Sequence, residues 1–492
     1  MKTLLMSMVG LLAFAVASFQ LNPSFTSEAV RDYKTRADAG DAEAQYLYSC
    51  ALVTRKATSK DFSQAFVYAK KAADQGYERA FLRVGRGYEQ GWGVESNAVK
   101  ATAYYSRFLP WAIKAAEQGD ANAQLDLWGV YSNGDGVTRD EAEAIKWLRK
   151  AAERGHAGAQ LCLGFSYALG DGVEQSYKEA AKWFRKAAAQ GDAWAQCRLG
   201  EMHKDGNGDK KDEIEAVKWF RKAAEQGMEL AQCNLGTMYY YGVGGLRKDE
   251  TEAVKWWQKA AKQKNMLAQY ALGVMYANGK GVGKNEVEAA NWYRKAAEQG
   301  CALAQNNLGV MYQFGKGVEK DETEAVKWFR KAAERDCVPA QYNLGLGYAN
   351  GIGIEQNEIE AVKWWQKAAK QKNMLAQYAL GVMYANGKGV GKNEVEAANW
   401  YRKAAEQGYA LAQNNLGLMY QFGKGVEKDE IKAIQWFKKA VEQWDLKACM
   451  NLFWFTLIRY WIVSVIFLVL VCGGLFTLLI KWTRKRKMCE AG

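Results

Sequence analysis

The chain has only three prolines and two histidines in 492 residues, and each shortage removes a class of explanation. Length alone implies three or so domains, yet no Pro/Ser-rich stretch marks a linker between them. The two histidines, His156 and His203, leave no HExxH zinc site, and neither GxSxG nor S-x-x-K is present to supply a nucleophile with its base. No CxxC points to zinc. Catalytic, cofactor-binding and metal sites are therefore all expected to be absent. The net charge of +13 is partly concentrated at the chain ends. Elsewhere acids and bases are interspersed, as Arg221 with Glu225 at i, i+4, the pattern of a solvated helix face. Nucleic acid demands a concentrated basic face and is not expected as a partner. An acidic cell-wall polymer stays among the candidates.

What the chain does have is periodicity. Tryptophan recurs at Trp147, Trp183, Trp219, Trp256, Trp292, Trp328, Trp364, Trp400 and Trp436, at intervals of 36 with a single 37. Twelve residues after each comes an alanine, usually followed by glutamine: Ala159, Ala195, Ala231, Ala268, Ala304, Ala340, Ala376, Ala412 and Ala448. Tyr68 and Tyr104 hold the tryptophan slot in two upstream units, and Ala44, Ala80 and Ala123 extend the alanine series, giving about eleven units. A fixed period of this length signals a solenoid.

Each unit reads as two helices. In residues 268–300, Ala268, Leu272, Met275 and Tyr276 fall on one face of a first helix, here helix A, at i, i+4, i+7, i+8 spacing. Gly279 and Gly281 follow, suited to a left-handed helix end. Helix B then places Ala289, Trp292, Tyr293, Ala296 and Ala297 on its apolar stripe and leaves Arg294, Lys295 and Glu298 to water. Asp249 with Glu252, and Asp321 with Glu324, have the spacing of capping boxes. No unit buries its stripe alone, so the units must stack. Equivalent cysteines in successive units, Cys197 and Cys233 or Cys301 and Cys337, should then lie about 10 Å apart, beyond the reach of a disulfide, and read as small apolar fillers. The sequence from Gly279 to Lys284 has the glycines of a phosphate loop but not its spacing or its preceding strand; it recurs at Gly387 to Lys392 and reads as a turn.

The recurring pattern AQ-x-x-LG-x-MY-x-x-G-x-GV-x-x-(D/N)-x-x-x-A-x-x-W-(F/W/Y)-x-KAA-x-x-G resembles the Sel1-like repeat, a relative of the tetratricopeptide repeat with a longer inter-helix loop, over residues 40–450. The resemblance implies an all-α fold: a right-handed α/α superhelical solenoid of about eleven two-helix repeats. It also implies an adaptor that holds proteins in complexes, often at membranes. Some secreted members bind penicillin or hydrolyse β-lactams, but those are rich in paired cysteines, and no unit here has a two-cysteine staple. Departures are local. Lys264, Asp336, Lys372 and Trp444 replace the glycine after helix B, and Trp128 replaces the glycine of the LG pair.

The ends suggest a compartment. Residues 1–17 read as a secretory signal: Met1-Lys2, then an apolar run from Leu4 to Ala17, too short to span a bilayer. Residues 18–39 read as an N-terminal capping segment. Within residues 451–481, the uncharged stretch from Tyr460 to Ile480 is long enough for one C-terminal transmembrane helix, with Trp454, Tyr460, Trp461 and Trp482 as interfacial residues. Residues 482–492 form a basic tail, which together with Lys481 belongs on the cytoplasmic side by the positive-inside rule. The expectation is a single-pass membrane protein with its repeats outside a bacterial cytoplasmic membrane. The last helix A, from Leu446, should run directly into the membrane span.

On helix A, the slots two, six and ten residues after the alanine lie opposite the core positions, on the side that usually lines the concave surface in this family. They hold Tyr270 and Val274; Asn306, Val310 and Phe314; Tyr342 and Leu346; Tyr378 and Val382; Asn414, Leu418 and Phe422. These residues either line a groove for a peptide segment of a protein partner or contact the neighbouring helix. The expected function is a membrane-anchored extracytoplasmic protein-interaction scaffold and not an enzyme. The alternatives are an exported β-lactamase-like or cell-wall-modifying enzyme and an envelope carbohydrate binder. Two irregularities remain. Residues 253–332 and 361–440 differ at seven positions, an internal duplication or a device for avidity toward a repetitive ligand. Seven residues, about two helical turns, are inserted after Tyr105, so the apolar face should nearly keep its phase. Pro110 should kink or break the lengthened helix, and Phe108, Leu109 and Trp111 should protrude.

Overall fold

Each unit folds as the helix pair that its apolar spacing dictates. A computed structural model of the chain describes residues 27–53, 57–443, 446–447 and 449–452. Among these residues the structure is all helical, running in A–B alternation from Ala42–Leu52 to Glu430–Val441, with an extra helix Ser27–Asp38 in front. The extra helix sets Val30, Tyr33 and Ala37 against Ala44, Tyr48 and Tyr68. The described residues fall into two compact units that divide between Ala268 and Gln269. Successive helices pack on one another from Ser27–Asp38 to Glu250–Lys262 in the first and from Glu286–Glu298 to Glu430–Val441 in the second, as a solenoid requires. No helix among the described residues is long and apolar enough to cross a membrane. The expected signal, membrane span, basic tail and helical junction at residues 453–459 lie outside the described residues.

One contact closes nearly every pair. The glycine of the LG dipeptide on helix A faces the residue after the tryptophan on helix B. Gly164 meets Phe184, Gly200 meets Phe220, Gly309 meets Phe329, Gly381 meets Tyr401 and Gly417 meets Phe437; a Cβ on any of these glycines would fall within 3.0 Å of ring carbons. The rings are buried, Phe220 and Phe437 completely. Where the ring is indole it gains a hydrogen bond as well: Trp257 Nε1 donates to the Cys233 carbonyl (3.2 Å) and Trp365 Nε1 to that of Tyr342 (3.1 Å). The departure at Trp128 is compensated across the same contact. Helix B there carries Leu148 in place of a ring, and Trp128 and Leu148 are buried in one cluster.

The periodic tryptophan does a different job. Trp364, Trp400 and Trp436 pack against the core of the preceding repeat, so this slot joins repeats rather than closing one. Its exposed face is covered by the lysine three residues on. Lys150, Lys186, Lys259, Lys367 and Lys403 hold their Nζ between 3.7 and 4.1 Å from the ring centroids.

Glutamine stitches the helix ends. The buried glutamine of each AQ donates to a carbonyl eight residues back, as Gln160 to Ala152 (3.0 Å). It accepts from a glutamine thirty residues on, as from Gln190 (2.8 Å); Gln407 to Gln377 (2.7 Å) repeats the arrangement. One side chain thus ties the preceding helix B to its own. At Gln124 and Gln305 the residue thirty on is Arg154 or Arg335. There the glutamine Oε1 is buried without a partner among the described residues.

Loops behave as their glycines require. The first glycine ends helix A in the left-handed region, as Gly315 at φ 66°. The second, as Gly317, leaves no room for a Cβ against the backbone of Glu286 in the preceding helix B. After helix B, Lys264, Asp336 and Lys372 adopt φ 68°, 58° and 63°; the turn persists without glycine. Helix B is capped by Asp249 and Asp321, each accepting from the backbone three residues on (2.8 Å). The second half of the expected box is replaced by ion pairs, Glu252 with Lys255 and Glu324 with Lys327 (both 2.9 Å).

Two expectations for the insertion are corrected. The helix Ala98–Glu117 runs unbroken through Pro110, which is exposed along with Ser106, so the carbonyl left without its helical donor faces water. Seven residues add about two turns, and Phe108 is therefore fully buried while Leu109 and Trp111 pack against the same cluster. They do not form a projecting patch.

Two stability predictions follow from these geometries. Gly381→Ala forces a Cβ into the Tyr401 ring and is expected to cost about 1–3 kcal/mol, read as a lowered urea midpoint. Lys372→Gly relieves a left-handed non-glycine residue and is expected to gain about 1 kcal/mol, read as a raised midpoint.

Candidate interaction site

All twelve slots singled out on helix A fall in the second unit, on the successive helices from Met266–Asn278 to Ala410–Phe422. Helical phase splits them into three environments. Asn306 and Asn414 are buried, at 7% and 4% exposure. They accept hydrogen bonds from the next repeat, Asn343 Nδ2 to Asn306 Oδ1 (3.0 Å) and Asn451 Nδ2 to Asn414 Oδ1 (2.8 Å). Tyr270, Val274, Val310, Tyr342, Leu346, Tyr378, Val382 and Leu418 are half-buried. Their inner edges touch the core: the Tyr270 ring lies 6.0 Å from Tyr293, and Tyr378 lies 5.8 Å from Tyr401 and 5.1 Å from Tyr409. Phe314 and Phe422 end their helices at 62% exposure.

The half-buried row combines aromatic and aliphatic edges with tyrosine hydroxyls. Burial pushes the Tyr270 and Tyr342 hydroxyls up, away from ionisation at neutral pH. Such a surface buries apolar side chains and exchanges hydrogen bonds; it offers no nucleophile paired with a base. The buried cysteines supply none either. Cys50, Cys162, Cys197, Cys233, Cys301 and Cys337 are free and buried, and desolvation raises the Cys197 and Cys233 thiols to about 12 and 11. No cluster of metal-binding side chains occurs among the described residues. In the first unit a shallow cleft of about 420 Å³ opens over the helix Glu213–Glu225, lined in part by Ile214, Trp219 and Gly244. Among its charged groups, Lys218 pairs with Glu215 (2.5 Å) and Arg221 Nη2 donates to the Tyr239 hydroxyl (2.8 Å).

The first unit also holds a polar cluster that periodicity did not announce. The helix Glu78–Gln90 carries Arg79, Arg83 and Arg86, and those three arginines were the available signal. Arg79 pairs with Asp126 (3.0 Å) above the Tyr46 ring. Arg83 donates to the Ser49 carbonyl (2.7 Å), and Arg86 Nε to Asp135 (2.8 Å) inside the core. Beside them His156 caps the helix Ala157–Leu169. Its Nδ1 accepts from the Ala159 N–H (3.2 Å), and its Nε2 lies 3.2 Å from Asn122 Oδ1. Accepting at Nδ1 requires the neutral ring with its proton on Nε2. Burial, opposed by Asp126 and Asp120 and assisted by Arg79, lowers the His156 pKa below its usual 6.5. A depressed histidine pKa stabilises the fold above the unfolded value and loses that contribution as pH falls below it. We predict that the urea midpoint falls as pH drops from 7 toward 5, and that His156→Asn, the cap found at Asn373, flattens this part of the profile.

Known proteins carry the same repeat. The model of the Sel1 repeat matches twelve segments between residues 42 and 443, including 157–192, 302–337 and 410–443. Among solved structures, the chain is similar to a protective antigen of uropathogenic Escherichia coli with an SLR fold, at 37% identity and TM-score 0.67, covering 86% of this chain and 89% of that one. It is also similar to a Sel1 repeat protein from Oxalobacter formigenes, at 35% identity and TM-score 0.50, covering 63% of this chain and 90% of that one. No curated protein matches it. With the repeat model matched over most of its length, the chain belongs to the Sel1 repeat family.

Proposed function

We propose that this Sel1 repeat protein is a membrane-anchored scaffold of a bacterial envelope, with its repeats outside the cytoplasmic membrane and a protein partner held on the helix-A face of its second unit. Sel1 repeat proteins are in general protein-interaction scaffolds. The observation that carries the reading is the half-buried row from Tyr270 to Leu418, repeated helix after helix and partly open to solvent. A partner segment laid along that row would bury aromatic and aliphatic edges, with the hydroxyls supplying register. The anchor rests on sequence: the uncharged stretch Tyr460–Ile480 and the basic residues after it. The apolar run Leu4–Ala17 supports export. The similar chain from uropathogenic Escherichia coli is a protective antigen, in keeping with an array displayed outside the membrane.

Two measurements test the proposal. Labelling of Cys449 and Cys489 by a membrane-impermeant thiol reagent in intact cells reports topology; Cys449 is expected to react and Cys489 to be protected, and the reverse would overturn the orientation. For the surface, Tyr270→Ala, Tyr342→Ala and Tyr378→Ala are combined in the full chain and partner capture is compared with wild type. Loss of the captured partner with unchanged helical content is expected. Unchanged capture would remove the helix-A face as the binding site.

A further inference from the structure

The scaffold reading leaves the chemistry of the partner open, and two equivalent points on the second unit narrow it. Phe314 and Phe422 each end a helix A at 62% exposure. The same slot holds Asn278, Asn350 and Asn386 in the repeats around them, so the fold does not need a ring there. A lysine lies over each ring, Lys316 Nζ and Lys424 Nζ both 5.9 Å from the centroid. Neither lysine forms an ion pair among the described residues. Other lysines on this edge do: Lys320 pairs with Glu322 (2.8 Å), Lys428 with Glu430 (3.6 Å), and Lys388, two residues after Asn386, with Glu358 (3.6 Å).

An apolar neighbour completes each point. The loop after Phe314 seats Gly317 on the backbone of Glu286 and Val287, and the loop after Phe422 seats Gly425 on that of Glu394 and Val395. Val287 and Val395, which lie beside these loops, are 57% and 56% exposed. Each point thus offers an aromatic plate, a branched aliphatic and an uncompensated ammonium. The two copies stand three repeats apart, and none of the seven differences between the duplicated blocks falls within Met311–Glu322 or its copy Met419–Glu430.

We propose that these are two equal docking points for one protein partner that displays at least two copies of a short acidic segment with an apolar anchor. The anchor sits on the phenylalanine and the valine, and a flanking carboxylate supplies the counter-charge that the lysine lacks. Two such points on one rigid array convert a weak single contact into avidity. The proposal rests on the scaffold reading but uses the loop edge of the repeats rather than the half-buried face of helix A.

The test uses the full-length chain and a fluorescein-labelled acidic peptide, DELFDE, as a single copy and as a tandem. A Gly/Ser linker of about 30 residues spans about 30 Å, matching three repeats at about 10 Å each. The tandem is expected to bind about 10-fold or more tightly than the single copy. Phe314→Ala or Phe422→Ala alone should reduce tandem affinity to that of the single copy, and Lys316→Glu with Lys424→Glu should abolish binding of both peptides. These side chains are exposed, and circular dichroism checks that each variant is folded. Equal affinity of tandem and single peptides, indifference to both phenylalanine substitutions, or no binding of either peptide would each overturn the proposal. Tyr342→Ala separates this result from the scaffold reading. If it removes peptide binding while the phenylalanine variants retain it, the peptide occupies the helix-A face and only the loop-edge proposal fails.

Discussion

The contact between a helix-A glycine and a helix-B ring sets the distance at which everything else in this protein operates. A helix pair can approach closely only if one partner gives up its side chain at the crossing point, and the other then fills the space with a flat, large group. Gly164, Gly200, Gly273, Gly309 and Gly381 meet that demand with a ring opposite each. The ring changes freely among Phe, Trp and Tyr because what is conserved is a plane against a backbone. Where glycine is lost, at Trp128, the ring is lost too and Leu148 stands opposite.

Once each pair is closed, the repeats must be joined, and the means of joining are chemically distinct. The periodic tryptophans press on the preceding repeat as apolar plates. Several of their indole N–H groups, including those of Trp147, Trp183 and Trp328, are buried without an acceptor among the described residues. A lysine above the ring lets the same residue meet water without presenting bare indole. The glutamine ladder adds direction, since an AQ glutamine such as Gln160 accepts from one helix end and donates to another. Coupling of this kind is nearest-neighbour, so stability accumulates along the array, and a local defect such as Arg335 in place of glutamine weakens one junction without unfolding the next.

Much of this was legible because repetition multiplies weak signals. Helix existence, the A–B alternation and the turn glycines followed from period and spacing alone. Three features were hidden for physical reasons. The division of labour between Trp328 and Phe329 cannot be read from adjacent aromatics, since a stripe about 100° wide contains both. The fate of Phe108 depended on whether Pro110 interrupts a helix whose phase the seven residues preserve; the missing hydrogen bond falls on the water side, so the helix continues. The arginine cluster around Arg79 and Asp126 breaks the apolar pattern, and a pattern search registers such a break only as noise. At the candidate surface, spacing located the helix-A slots but not their depth. Asn306 and Tyr342 occupy the same slot, yet one is enclosed by a neighbouring asparagine and the other keeps an open edge.

That difference bears on what the array is built to do. In the first unit the polar groups largely satisfy one another: Arg79 with Asp126, Arg86 with Asp135, His156 with the helix it caps. Charges committed internally are poor recognition elements, because engaging a partner would first require breaking a pair in a low-dielectric setting. The second unit keeps its commitments lighter. Its helix-A tyrosines Tyr270, Tyr342 and Tyr378 stay half-buried, and two of its lysines stand over exposed rings without a carboxylate among the described residues. On the scaffold reading proposed above, recognition would fall to the part of the solenoid where side chains are positioned by the fold but not consumed by it.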